Sequence, residues 1–420
     1  MEEQQVMAIA KRCPWLKDYM QYTLRTEAPA HFHFLVGITM MGTVIGRSAY
    51  FTHGVFRVFP NIYGLLVAPS GRCRKSTAIK IGMDILHKLA IEDVKIIGPK
   101  VTPEALVQAI YREKPIIREG RIVPTFPDSV TLVYAPELAV FLNQRDFNKD
   151  TIPLLTDLYD SPDKWTTSTM TRGEVVLRNV FVSMLGASTL HWLVELVPRS
   201  AFGGGFMGRL LIASRETTSR VFPVPTTPSP NEQANLVRGL QEIEQFAGEI
   251  TWTPSALDWF NTWYKSSREK REMYTDDRTA GYMERKPITL IKLAIIHTIA
   301  SRLTVSTIDS LEWALNAIEC LEDDMIRTFQ DISAHGIRTQ DTEFFKRLED
   351  FIIEHKYVML TETVRYMLKA GITATKTREM LASMKEAGTV DARRDQKGNY
   401  IYKYIPECDR LVRSRPVWGN

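Results

Sequence analysis

Cysteine is scarce: the chain has 4 in 420 residues, Cys13, Cys73, Cys320 and Cys408, with no Cys-x-x-Cys pair. That spacing argues against a disulfide framework or a zinc finger and fits a reducing cytosol, so a cytoplasmic location, in a host cell if phage-encoded, is the expectation. Neither charge dominates, with 53 Lys and Arg against 49 Asp and Glu and a net charge of +4. Mild basicity permits a nucleic-acid partner without requiring one. The longest apolar candidate for a membrane span, Phe34 to Gly46, ends at Arg47. It is shorter than the roughly 20 residues a bilayer demands, and reads as a buried helix. The first residues, Met1-Glu-Glu-Gln-Gln, are acidic where a secretory signal would be basic. His31 and His33 flank Phe32, yet no second cluster of soft ligands accompanies them, so a metal site is not expected there. No internal repeat stands out.

What is present suggests two or three domains. Residues 1–50 read as helices, with a break and restart at Thr26-Glu-Ala-Pro29 and a following helix to about Arg47. From 51 to 221 strands and helices alternate. Tyr63 to Val67, Val94 to Ile97, Val130 to Tyr134, Val180 to Gly186 and Leu210 to Ser214 are strand candidates, and Thr102-Pro-Glu104 opens a helix between the second and third. Such alternation implies an α/β core with a parallel sheet. Phe222-Pro-Val-Pro-Thr-Thr-Pro-Ser-Pro230 is an extended connector, and the segment 222–335 beyond its start reads as a helical subdomain.

The densest chemistry lies in Asn61-Ile-Tyr-Gly-Leu-Leu-Val-Ala-Pro-Ser-Gly-Arg-Cys-Arg-Lys-Ser-Thr77. A buried strand, a tight turn and a Lys-Ser-Thr helix start are the layout of a phosphate-binding loop. Backbone N–H groups cradle phosphate oxygens, the Lys neutralises charge and the hydroxyl ligates Mg²⁺. Pro69, Ser70, Gly71, Arg72, Cys73, Arg74, Lys75, Ser76 and Thr77 are therefore the candidate ATP-binding residues, with Ser76 as metal ligand. Glycine is short here: in Gly-x-x-x-x-Gly-Lys-Ser/Thr the two glycines fall at Pro69 and Arg74. A strand turning into an amphipathic helix with an exposed Lys is the other reading.

Partners for such a loop are found downstream. Thr131-Leu-Val-Tyr-Ala-Pro-Glu137 ends a strand in a carboxylate, with Pro136 where an Asp is expected. Metal organisation then falls to Ser76, water, or an acid such as Asp157 or Asp160; Glu137 alternatively is a surface residue. Ser188 and Thr189 end the next strand and are candidate γ-phosphate sensors. Ala201-Phe-Gly-Gly-Gly-Phe-Met-Gly-Arg209 delivers one Arg from a glycine-rich loop, as an arginine finger requires, or else a hairpin turn with a solvent-facing Arg.

The segment 341–405 reads as three helices (Phe344 to Ile353, Thr361 to Leu368, Lys376 to Ala387) and a hairpin turning at Lys397-Gly-Asn399, the layout of a winged helix; 406–420 is a tail. Lys376, Arg378, Arg393, Arg394 and Lys397 are candidate DNA contacts, interleaved with Tyr400, Tyr402 and Tyr404. Glu379, Glu386, Asp391 and Asp395 dilute that charge, and a protein-contacting wing is the alternative.

In order, these segments resemble the phage- and plasmid-type primase-helicase family of RecA-like P-loop ATPases. Thr26-Glu-Ala-Pro with Phe32-His33, the 61–77 loop, Thr102-Pro-Glu-Ala-Leu106, Ala135-Pro-Glu137, Gly203 to Leu210 and the Lys292-Leu-Ala helix carry the likeness over residues 20–330. The resemblance implies ATP and Mg²⁺ at Lys75 and Ser76, Glu137 as catalytic carboxylate and Arg209 as a finger for a neighbouring subunit. Arg74-Lys75 resembles a variant loop of that family. No primase domain accompanies it. The implied protein is a hexameric ring translocating on single-stranded DNA, without a membrane partner, with Ser161 to Arg172 a candidate DNA-contacting loop. Alternatives are a nucleotide-gated DNA-binding or loader protein that hydrolyses ATP slowly, and a winged-helix regulator.

Overall fold

The computed structural model describes residues 2–89, 94–98, 100–118, 121–125, 128–142, 150–169, 173–196, 205–273, 277–386, 389–394 and 400–405. Two compact units divide the chain, Met1–Ile332 and Ser333–Asn420.

The first unit is built on five parallel strands: β1 (Tyr63–Val67), β2 (Val94–Ile97), β3 (Ser129–Ala135), β4 (Val180–Ser188) and β5 (Leu210–Ser214), in the order β5-β1-β4-β3-β2. Every residue of β1 and β4 is buried. Strands covered on both faces carry continuous apolar runs rather than alternation, which is why these segments stand out in the sequence. The chain leaves β1 toward the β2 edge, whereas it leaves β4 in the opposite direction, past β1, to reach β5. Right-handed crossovers put connections of opposite direction on opposite faces. The crevice at the carboxyl ends of β1 and β4 is therefore the switch point of the sheet, where open α/β folds bind ligands.

The N-terminal helices and those after the proline-rich connector belong to this same unit. The helix Ala30–Ile45 is buried at every residue and lies against β1, β4 and β5 on one side and the helix Asp277–Ala300 on another. A Cβ on Gly42 would collide with the Pro60 carbonyl, so only glycine permits that approach. The connector ends in a capping box: the Ser229 hydroxyl accepts from Glu232 N at 3.2 Å while Ser229 N donates to the Glu232 carboxylate at 2.7 Å. The helix Pro230–Glu244 follows directly.

Three antiparallel hairpins, Ala49–His53 with Phe56–Val58, Lys114–Arg118 with Arg121–Thr125, and Lys164–Thr169 with Gly173–Arg178, were not expected from sequence. The last takes in Lys164–Thr169 of the Ser161 to Arg172 segment, of which residues 170–172 lie outside the described residues. In the segment expected to be helical, one helix runs Ile308–His355, taking in the Phe344 to Ile353 stretch.

In the second unit the helices Leu360–Lys369 and Ala374–Glu386 accompany a three-stranded antiparallel sheet, Val358–Met359, Tyr400–Tyr404 and Val390–Arg394 in spatial order. Leu348, Ile352, Met367, Leu381 and Val390 form its core. Among the described residues no helix is long and apolar enough to cross a membrane.

Candidate nucleotide site

The loop after β1 emerges between the ends of two neighbours. Ala68 N donates to Ser188 O at 3.2 Å, and Arg215 N donates to Val67 O at 3.0 Å. Two residues then turn the chain through left-handed backbone: Gly71 at φ +75° and Arg74 at φ +51°. The sequence has glycine at the first of these and arginine at the second, where the commoner loop carries glycine. The left-handed region costs a non-glycine residue roughly 1–2 kcal/mol. Arg74 is held there by its ion pair with Glu27, Nε to Oε2 at 2.9 Å. Its carbonyl opens the helix Lys75–Leu89, accepting from Thr77 N at 3.0 Å and Ala78 N at 3.1 Å.

Lys75 bends back across the loop, donating from Nζ to the carbonyls of Ala68 and, at 3.2 Å, of Pro69. Burial lowers the pKa of its ammonium, opposed by Cys73 and the Glu137 carboxylate. Ser70, Arg72, Ser76 and Thr77 are exposed around it, Pro69 is half-buried, and Cys73 is buried with its Sγ 3.4 Å from Arg215 O. The helix N-terminus, an ammonium at the loop mouth and an exposed Ser76 hydroxyl are a donor set that fits a polyphosphate with Mg²⁺.

Glu137 stands two residues beyond β3, exposed, its carbonyl accepting from Val140 N at 2.9 Å. β3 is separated from β1 by β4 alone, so Glu137, Ser188 and Lys75 share the carboxyl edge. The Ser188 hydroxyl donates to Thr189 O at 3.1 Å, and the Thr189 hydroxyl caps the helix Leu190–Leu196 by accepting from Trp192 N at 3.3 Å.

Arg209 and Asp160 lie elsewhere. Arg209 precedes β5, whose first residue pairs with Tyr63, the first of β1, so it sits at the amino edge. It is buried, not solvent-facing, and donates to Gly205 O at 2.9 Å and Asp160 Oδ2 at 3.2 Å. Asp160 therefore cannot serve Mg²⁺ at its own chain's Lys75 loop. Residues 201–204 of the glycine-rich segment are outside the described residues.

His31 and His33 are core residues of the Ala30–Ile45 helix, and burial pushes both imidazoles down to about 3. Among the described residues no group of three or more potential metal ligands exists.

In the second unit the candidate DNA contacts divide. Arg378 is exposed and Lys376 half-buried on one helix. On the hairpin, Arg394 pairs with Tyr400 across the strands, its Nη2 donating to the phenolic oxygen at 3.1 Å. Arg393, on the opposite face, bonds Asp391 at 3.1 Å. Lys397 lies outside the described residues.

Sequence reasoning missed Glu27, Arg47, Arg285 and Asp324. Arg47 is buried and donates to Ser161 O at 2.7 Å, Val180 O at 2.8 Å and the Asp163 carboxylate. Asp324 receives Arg215 and Ser214 N, the latter at 2.9 Å, beside the loop that Cys73 joins. Of these only Arg47 gave a local signal, as the cation that ends the apolar run from Phe34. No protein-family model matches the chain, and a search of curated proteins finds no match.

Proposed function

We propose that the protein is an ATPase whose Lys75 loop binds ATP with Mg²⁺ and whose turnover drives movement on single-stranded DNA. The observation that carries this reading is the placement of the Lys75 loop at the switch point between β1 and β4, with its turn left-handed at Gly71 and Arg74. In a RecA-like core, Lys75 neutralises β/γ charge and Ser76 holds the metal, which supplies charge neutralisation at the phosphates. Glu137 orients water from the end of β3, and Ser188 and Thr189, at the end of β4, sense the γ-phosphate. Arg209 serves a neighbour's nucleotide in a ring, most simply a hexamer, and the second unit acts as a winged helix whose Arg378, Arg393 and Arg394 contact DNA.

A slower, nucleotide-gated DNA-binding or loader protein is favoured by the missing loop glycines at Pro69 and Arg74 and by Pro136 in place of an acidic residue beside Glu137. Titration of a fluorescent ATP analogue tests the shared core of both readings. Saturable, Mg²⁺-dependent binding to wild type and its loss in Lys75→Ala is the expected result. Equal binding by both proteins removes the Lys75 loop from the account. Turnover stimulated by single-stranded DNA then separates motor from gated binder.

A further inference from the structure

At the amino edge of the sheet two guanidiniums and the buried Lys292, whose pKa burial lowers to about 7, crowd one carboxylate. Arg209 comes from the turn before β5, Arg285 and Lys292 from the helix Asp277–Ala300, and Asp160 from the segment after the helix Thr151–Leu158. Tyr159 lines the corner, its ring 3.8 Å from Lys292 Nζ and 5.6 Å from the Arg209 guanidinium carbon. The charges do not balance. Asp160 bonds Arg209 but leaves 63% of its own side chain exposed, whereas the Arg209 side chain is 6% exposed. Arg209 Nε is buried with no hydrogen-bond partner. Arg285 makes no ion pair within 4 Å and no hydrogen bond among the described residues, and burial followed by repulsion from Arg209 lowers its pKa against the attraction of Asp160.

Gly205 explains how two guanidiniums fit together. Its φ is +79°, and a Cβ there would lie 2.9 Å from Arg209 Nη1 and 3.2 Å from Arg285 Nη2. The absence of a side chain lets both forks reach one point. Partly buried like charges that share one largely exposed counter-ion are costly, and a doubly charged group with several acceptor oxygens relieves both the charge excess and the unpaired donors. Planar guanidinium pairs are suited to phosphoryl oxygens.

We propose that Arg285 joins Arg209 in a second phosphate site, which receives the terminal phosphoryl group of a nucleotide held by the Lys75 loop of a second copy of the chain, and that Asp160 occupies Arg209 until then. The assignment rests on the reading of the Lys75 loop given above. The chain's own loop cannot deliver the phosphate, because β1 separates the two edges by roughly 15 Å. A head-to-tail contact instead brings the carboxyl edge of one copy to the amino edge of the next. A pair of guanidiniums that converge on Gly205, bordered by the exposed Asp160, suits a single phosphoryl group better than an extended polyanion.

The test uses full-length wild type, Arg285→Ala, Arg285→Lys, Asp160→Asn and Lys75→Ala. Binding of a fluorescent ATP analogue is expected to persist in Arg285→Ala and to vanish in Lys75→Ala. Turnover is expected to fall at least ten-fold in Arg285→Ala, and to fall less in Arg285→Lys. Asp160→Asn, which removes the charge competing for Arg209, is expected to raise it. Mixing Arg285→Ala with Lys75→Ala should restore a measurable fraction of turnover, since each supplies what the other lacks. Wild-type turnover in Arg285→Ala, or a mixture no better than its components, overturns the proposal. So does a defect of Arg285→Ala confined to DNA affinity, which would assign the corner to a nucleic-acid backbone. If wild type binds ATP without turning it over, ATP-dependent self-association in sedimentation is the readout, and its retention in Arg285→Ala overturns the proposal. Failure of wild type to bind the analogue at all would instead defeat the Lys75-loop reading beneath it.

Discussion

Arg74 Nε lies 2.9 Å from Glu27 Oε2, tying the candidate phosphate loop to the Thr26-Glu-Ala-Pro29 break between the N-terminal helices. The other Glu27 oxygen accepts from Phe222 N at 3.2 Å, so one carboxylate joins the loop, the N-terminal helices and the start of the proline-rich connector. Arg74 first, and then the Phe222 N–H, hold the Glu27 carboxyl below its ordinary pKa.

Arg74→Gly is therefore expected to keep the fold. Relief of the left-handed backbone contributes about 1 kcal/mol and offsets much of the lost ion pair. Arg74→Val, which loses the pair and keeps a β-branched residue at φ +51°, should melt measurably lower. Thermal unfolding of both variants decides it, and equal melting of Val and Gly variants would contradict the backbone explanation.

Arg47 fixes the base of the Lys164–Arg178 hairpin through the Ser161 and Val180 carbonyls and Asp163, with its guanidinium 4.1 Å from the centre of the Phe59 ring. Arg47→Ala leaves buried acceptors unpaired and should cost about 3 kcal/mol in urea unfolding. Lysine, lacking the fork, should recover only part of it. An alanine variant as stable as wild type would show that these bonds are replaced by water.

Acid should weaken the first unit through His31 and His33. Both are neutral in the fold down to about pH 3 because burial opposes their charging, assisted by Arg215 and Arg220 respectively. In the unfolded chain they take up protons near pH 6.5. Their contribution to stability is complete above that pH and is lost progressively as pH falls toward 3. Urea midpoints between pH 7 and 5 should fall more steeply in wild type than in a His31→Leu/His33→Leu variant; parallel slopes would exclude the pair as the cause.

The central strands β1 and β4 were legible because two-sided burial writes them as largely apolar runs, Tyr63 to Val67 and Val180 to Gly186. The Lys75 turn was legible from Pro69-Ser-Gly71 and Lys75-Ser-Thr77 despite its missing glycines. The hairpin Lys164–Thr169 was not, since Lys-Trp-Thr-Thr-Ser-Thr lacks apolar alternation. Nor were the polar pairings. Glu27 and Arg74 are 47 positions apart and Asp160 and Arg209 are 49, and no local pattern links them. Asp160, a candidate metal helper for Lys75, instead bonds Arg209 at the opposite, amino edge because the turn after the helix Thr151–Leu158 lies beside Asn61, ahead of β1.

The most direct measurement is ATP turnover by the full chain with and without single-stranded DNA, in wild type and Lys75→Ala. Expected is turnover that DNA stimulates and that falls by at least about 10²-fold without the Lys75 ammonium, the scale of one lost transition-state charge contact. Turnover unaffected by Lys75→Ala, or no ATP binding by wild type, would contradict the assignment of a nucleotide to this loop.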